Sequence, residues 1–87
     1  MKLILAVVRD NDDRSVINCL VNQGYRVTRV ASTGGFLHRG NVTLMIGVDE
    51  EKLDAVIDLM RGACGAPESG QHSATLFIVN ASHFVQI

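Results

Sequence analysis

The sequence predicts an α+β domain in which a four-stranded antiparallel sheet carries two helices on one face. Strand-like apolar runs and two segments of helical periodicity follow one another in the order β-α-β-β-α-β. The 87 residues, 47% of them hydrophobic and 20% charged, suit one folded domain over residues 1–87. This element order is the ferredoxin-like arrangement.

The first strand and helix are predicted from residues 2–24. Residues 2–9 form a near-continuous apolar run with β-branched side chains, which is typical of a buried strand. Asn11 is the expected N-cap of the first helix, and Gly24 is its expected C-terminal stop. The helix is expected to place on its apolar side Val16, Cys19 and Leu20, flanked by Ile17 and Val21.

The second and third strands are predicted over residues 25–32 and 42–48. Side chains of a strand alternate between its two faces, so each strand divides into two sets. In the second strand the sets are Tyr25, Val27, Arg29 and Ala31 against Arg26, Thr28, Val30 and Ser32. In the third they are Val42, Leu44, Ile46 and Val48 against Thr43, Met45 and Gly47.

The second helix is predicted to begin at an Asp49 cap and to end at Gly62 or Gly65. Its apolar stripe at helical spacing is Leu53, Val56, Ile57 and Met60. A short polar connector over residues 65–72 then leads to the fourth strand at 74–80 and a tail at 82–87.

Both faces of the first and last strands are apolar. A sheet that is open to water on one side should alternate more cleanly between apolar and polar residues. We therefore expect the helix-free face to be covered by other subunits.

The composition argues against several functional classes. The net charge of −1 and the scarcity of aromatic residues disfavour a nucleic-acid-binding domain. Cys19 and Cys64 make no disulfide framework and are interpreted as reduced thiols of a cytoplasmic protein. No apolar run is long enough for a membrane span. The three histidines lack metal-ligand spacing, and no nucleophile has an obvious base partner, so we expect neither a metal, a cofactor nor an enzyme.

The segment 31–43, between the second and third strands, is the candidate binding loop. It is longer than a simple hairpin needs. Gly34-Gly35 can form an anion-binding nest of backbone N–H groups, although a flexible turn is the preferred interpretation of a lone Gly-Gly pair. Phe36 and Leu37 can cover a planar base or pack in an interface.

Three polar residues adjoin this loop. Arg26 can pair with a phosphate, and the Thr28 hydroxyl can bind a phosphate or a base edge. The amide of Asn41 can donate to and accept from an adenine edge. The structural alternatives are a surface ion pair for Arg26, a strand-favouring residue for Thr28 and a turn residue for Asn41. The convergence of these residues on one strand–loop–strand unit favours binding.

The chain resembles the PII-like cyclic di-AMP receptor family, also called PstA or DarA. The matching segments cover nearly the whole chain, and Ser-Thr-Gly-Gly-Phe-Leu at 32–37 is the most specific of them. The others are Met1-Lys-Leu-Ile4, Gly24-Tyr-Arg-Val-Thr28, Gly40-Asn41, Thr43-Leu-Met-Ile-Gly-Val48, Ala74-Thr-Leu-Phe77, Phe84 and Gln86.

The resemblance implies a cytoplasmic homotrimer that signals without catalysis and binds its ligand in clefts between subunits. It implies that Arg26 and Thr28 line the pocket, that Asn41 binds through its amide, and that Gly47 leaves room for the base. The remaining implied contacts are backbone amides and a lid from Gly35, Phe36 and Leu37, and a C-terminal contribution from Phe77 and Gln86.

This chain departs from the family pattern at three places. His38 stands where a basic residue is usual, Val42 where threonine is common, and the 65–72 connector is much shorter than the loop that relatives fold over the ligand. The first hypothesis is a receptor for cyclic di-AMP or a related adenine nucleotide, with an unknown downstream protein partner. The second, motivated by the connector, is a trimer that binds another small anion or only a protein. A third is a phosphohydrolase using Arg26 and Asn41.

Overall fold

The protein is described by a computed structural model that covers residues 1–30, 40–65, 72–83, 85 and 87. Within these residues, four strands, two α-helices and a one-turn 3₁₀ helix follow in the order β-α-β-β-α-β. Their bounds are β1 Lys2–Arg9, α1 Asp13–Asn22, β2 Val27–Val30, β3 Asn41–Val48, the 3₁₀ turn Glu50–Lys52, α2 Leu53–Ala63 and β4 Ala74–Asn80.

The four strands form one antiparallel sheet with the spatial order β2-β3-β1-β4. The central strand β1 pairs with β3 on one side and with β4 on the other, so that Leu5 lies between Met45 and Phe77. β2 is an outer strand that pairs Thr28 with Met45. The predicted ferredoxin-like α+β fold is therefore confirmed.

The hydrophobic core lies between one face of the sheet and the two helices. Alternate residues of β1 and β3 are fully or almost fully buried there, and each helix adds two buried side chains. The buried apolar residues are Ile4, Ala6, Val8, Val16, Leu20, Val42, Leu44, Ile46, Val48, Val56 and Met60. Both the alternation predicted for β3 and the stripes predicted for the helices place these residues correctly.

The opposite, helix-free face of the sheet is named the open face below. The strand registers place on it Leu3, Leu5, Val7, Thr28, Val30, Thr43, Met45, Gly47, Thr75, Phe77 and Val79. Phe77 and Val79 are 59% and 46% exposed, although both are large apolar residues. The open face is thus largely apolar, as the sequence predicted; its cover by other subunits stays a prediction.

Several element boundaries differ from the predictions. β2 begins at Val27 because the Tyr25 N–H still donates to the Leu20 carbonyl of α1, at 3.0 Å. α1 has Asp12 rather than Asn11 at its N-cap, since the Asp12 N–H donates to the Arg9 carbonyl in a turn that precedes the helix.

α2 also departs from its predicted course. Its predicted first turn is the 3₁₀ helix that follows Asp49, and Gly62 lies inside the helix. The helix ends at Ala63, where Cys64 adopts an extended conformation, so Gly62 is not the terminator. Within the described residues, no helix is both long and apolar enough to cross a membrane.

Candidate functional site

A cavity of about 560 Å³ opens at the end of the sheet where β1 begins and β3 ends. Such a volume lies within the usual range for small-ligand sites. Residues just before and within β2 form one wall, and the end of β3 forms another. The lining is Met1, Leu3, Gln23, Gly24, Tyr25, Arg26, Thr28, Met45, Gly47, Val48, Asp49 and Lys52.

The turn between α1 and β2 positions the first wall of this cavity. Gly24 adopts φ +89°, a left-handed conformation that side chains disfavour, and the Gly24 N–H donates to the Val21 carbonyl at 3.0 Å. The chain thereby leaves the helix and enters β2. Arg26 and Thr28 follow this turn, and both side chains are exposed at the cavity.

The alternation along β2 decides which of its polar residues reach the cavity. Arg29 points to the helix side, where its Nε lies 3.1 Å from the Asp13 carboxylate at the start of α1. Thr28, the neighbour of Arg29, therefore faces the open side, opposite Met45. The predicted separation of these side chains into two sets is confirmed.

Gly47 keeps the β3 wall of the cavity low. The residue is exposed and pairs with Leu3 of β1. A Cβ added at Gly47 would lie 3.8 Å from the Met1 Sδ, which is ordinary van der Waals contact. The fold of the chain itself therefore does not demand glycine here, and the absent side chain leaves space on the cavity side.

Two other predicted site residues, Asn41 and Phe77, do not join this group within one chain. Asn41 begins β3 opposite Arg9, at the far end of the strand from Gly47. Phe77 lies on β4, the outer strand on the opposite side of the sheet from β2. Gly35, Phe36, Leu37 and Gln86 lie outside the described residues.

Lys52 is a cavity residue that the sequence analysis missed. It ends the 3₁₀ turn after β3, and its backbone N–H donates to the Asp49 carbonyl at 2.9 Å. The sequence analysis predicted a continuous helix from Asp49 and therefore missed the turn. A lysine near the start of a helix does not by itself indicate a binding site. Tyr25 and Met1 also line the cavity without having been predicted.

A network of hydrogen bonds at the other end of the sheet joins the two ends of the 65–72 connector to the turn after β1. Asp12, only 8% exposed, accepts from the Arg9 Nε at 2.9 Å and from the Gly65 N–H at 3.2 Å. The Gly65 carbonyl accepts from the Arg9 Nη2 and from the Ser73 hydroxyl, each at 2.8 Å. The two ends of the connector are thus joined to each other and to the turn after β1.

The same turn also contacts the end of the candidate binding loop. The Asp10 N–H donates to the Gly40 carbonyl at 2.7 Å, one residue before β3 begins. The turn at residues 9–12 therefore supports the loop on one side and the connector on the other.

Cys64 lacks the features of a reactive thiol. Both cysteines are free and half-buried. Burial raises the pKa of the Cys64 thiol above its usual value, and the nearby Asp12 carboxylate adds to that increase while Arg9 opposes it. Cys64 therefore stays a neutral thiol at physiological pH, which disfavours a nucleophilic role.

The described residues provide no metal-binding cluster of three or more histidine, cysteine or acidic side chains. The cavity instead offers a guanidinium, an ammonium, a hydroxyl and a carboxylate around an apolar floor of Leu3 and Met45. This combination suits a ligand that has both an anionic and an apolar, planar part.

Two comparisons with known proteins bear on the identity of the chain. A crystal structure of a functionally unknown protein from Pediococcus pentosaceus is similar to it, with a TM-score of 0.79 and 28% sequence identity, covering 99% of this chain and 96% of the other. The family described as cyclic-di-AMP receptor matches residues 1–87, which is the whole sequence. The chain therefore belongs to the cyclic-di-AMP receptor family.

Proposed function

We propose that the protein is a non-enzymatic receptor that binds cyclic di-AMP in clefts between the subunits of a cytoplasmic homotrimer. The observation that carries this proposal is that Arg26, Thr28 and Gly47 line one open-face cavity while Asn41 and Phe77 lie elsewhere on the chain. Membership of the cyclic-di-AMP receptor family supports the choice of ligand.

The spacing of the site residues supports a site shared between subunits. Gly47 and Asn41 are six residues apart on one strand, so they are separated by roughly 20 Å at about 3.3 Å per residue. Phe77 and Thr28 are three strand spacings apart, or roughly 14 Å. At these separations the groups of a single chain cannot contact the same base or phosphate, but a neighbouring copy can supply Asn41 and Phe77 next to the cavity.

The open face supports the association of several copies. A contiguous exposed apolar surface such as this face marks an interaction site in soluble proteins. Phe77 and Val79 of this face are 59% and 46% exposed in a single chain, and a neighbouring subunit would cover them.

The chemistry of the ligand fits the cavity. The Arg26 guanidinium can form two parallel hydrogen bonds to one phosphate, and the Thr28 hydroxyl can bind a phosphate or a base edge. The open floor at Gly47 leaves room for a flat base. Binding would order the 33–41 loop, which lies largely outside the described residues, and so change the surface offered to a downstream protein partner.

Isothermal titration calorimetry with cyclic di-AMP tests the proposal, with ATP and cyclic di-GMP as competing ligands. We expect one cyclic di-AMP per subunit with at least micromolar affinity. The Arg26→Ala variant should bind more weakly, whereas Arg14→Ala, which removes an exposed arginine outside the cavity, should bind as tightly as the wild type. If Arg26→Ala binds as tightly as the wild type, the assigned site is wrong. If a trimeric wild type shows no binding of cyclic di-AMP, the assigned ligand is wrong.

A further inference from the structure

The described cations divide into paired and unpaired groups. Four of them form ion pairs: Lys2 with Glu50, Arg9 with Asp12, Arg29 with Asp13 and Arg61 with Asp58. Within the described ranges, Arg14, Arg26 and Lys52 form no ion pair and no side-chain hydrogen bond. Two of these three, Arg26 and Lys52, line the same cavity.

Local structure places Lys52 at the cavity, where it has no ion-pair partner among the described residues. The 3₁₀ turn is closed by the hydrogen bond from the Lys52 N–H to the Asp49 carbonyl. The Glu50 carboxylate, two residues earlier, instead lies 3.7 Å from the Lys2 Nζ. Glu50 therefore does not neutralise Lys52.

The cavity consequently has an excess of positive charge. Its lining contains two cations and one carboxylate, Asp49. In the whole chain acidic residues outnumber basic ones, since the net charge is −1. Unpaired positive charge concentrated in a concave site attracts anions and raises their local concentration.

We propose that Lys52 is a second phosphate-binding cation of the cavity and that the site recognises a ligand with two separate phosphate charges. This inference rests on the proposed function and deepens it. Arg26 binds one phosphate through its planar guanidinium, whereas the Lys52 ammonium acts as a flexible point charge for the other. The two cations reach the cavity from different walls, one before β2 and one after β3, so they suit two phosphates rather than one.

Calorimetric titration of cyclic di-AMP into Lys52→Met tests this role, with Lys52→Arg and Arg14→Met as matched controls. Lys52→Met keeps an apolar stem but removes the charge, and we expect about tenfold weaker binding, the effect of losing one charge-assisted hydrogen bond. The loss should shrink at high salt, because an exposed cation is screened. Lys52→Arg keeps a positive charge for the phosphate, so it should stay within about threefold of the wild type, and Arg14→Met should not differ from it.

Three results would overturn the inference alone while the wild type still binds. The first is a Lys52→Met variant that binds with wild-type affinity. The second is an equal loss of affinity in Arg14→Met, which would indicate that only the net charge of the protein matters. The third is a Lys52→Arg variant that binds as weakly as Lys52→Met. No detectable binding of cyclic di-AMP by the wild type would instead overturn the proposed function and this inference together. Lys52 is exposed, so its variants should fold; circular dichroism checks this, and Lys52→Gln provides a second charge-free variant.

Discussion

At the scale of single residues, Gly47 lines the cavity at the proposed position of the base. The chain itself accepts a methyl group at this position, because the nearest atom is 3.8 Å from the added Cβ. A bound base would compete with that methyl group for the same space.

We expect Gly47→Ala to weaken cyclic di-AMP binding about tenfold without lowering the thermal midpoint of the free protein. Overpacking a closely fitted site costs about 1–3 kcal/mol, and about 1.4 kcal/mol corresponds to a factor of ten. Titration calorimetry and thermal unfolding measure the two quantities. An alanine variant that binds like the wild type would show that no part of the ligand lies against Gly47.

Asp12 is the buried charge on which the turn after β1 depends. Its carboxylate interacts with the Arg9 guanidinium and the Gly65 N–H instead of capping α1. Gly65 itself has little room, since an added Cβ would lie 3.2 Å from the Arg9 Nη2.

The Asp12→Asn substitution should lower the free energy of unfolding by about 2–3 kcal/mol, because it removes the buried carboxylate that interacts with the half-buried Arg9 guanidinium. The exposed pair of Asp58 and Arg61 provides the control, and Asp58→Asn should change stability by less than about 0.5 kcal/mol. Urea denaturation measures both values. Equal effects from the two variants would mean that the Asp12 network adds nothing beyond a surface ion pair.

At the scale of elements, two glycines near helix ends have opposite roles. Gly24 leaves α1 with φ +89°, whereas Gly62 lies inside α2, and neither has an atom within 4 Å of an added Cβ. Only backbone conformation therefore distinguishes the two positions.

Alanine at these positions should shift stability in opposite directions. Gly24→Ala should destabilise the protein by about 1–2 kcal/mol, since the left-handed conformation is strained for alanine. Gly62→Ala should stabilise it by about 0.5–1 kcal/mol through helix propensity. Thermal or urea unfolding separates the two, and destabilisation by Gly62→Ala would show that α2 is not helical at that residue.

The elements themselves were largely predictable from periodicity. β1 and β4 have the predicted bounds, and β3 begins one residue earlier than predicted. The starts of α1, β2 and α2 were not predictable, because each depends on a hydrogen bond that competes with the local pattern, such as the one from the Tyr25 N–H to the Leu20 carbonyl.

At the scale of the whole molecule, the open face is expected to hold the trimer together. Leu5 lies at the centre of this face, between Met45 and Phe77. A charge placed there would be buried without a partner in the assembly but would contact water in a single chain.

We expect Leu5→Lys to dissociate the trimer, so that sedimentation gives the 9.4 kDa mass of one chain instead of three times that mass. Val21→Lys is the control, because Val21 is 52% exposed on α1, away from the sheet. A wild-type mass of one chain at micromolar concentration would contradict the trimer directly.

Mixed trimers test whether each site is shared between two chains. Arg26→Ala and Asn41→Ala should each bind poorly when alone. When the two variants are co-assembled in equal amounts, about a quarter of the clefts should regain both residues by random association. Calorimetry should then detect strong binding at that reduced stoichiometry, whereas two residues that act within one chain would give no recovery.

The sequence by itself determined the order of the elements, the apolar alternation that selects the core face and the family resemblance. The element order and the alternation are local features, since side-chain spacing and turn chemistry decide them, whereas the resemblance depends on matching segments along nearly the whole chain. Tertiary structure decided which of the candidate site residues lie together. Arg26, Thr28 and Gly47 share a cavity with Lys52, whereas Asn41 and Phe77 lie elsewhere. Strand order and register create such groupings between distant segments, and a periodic pattern along one segment contains no information about them.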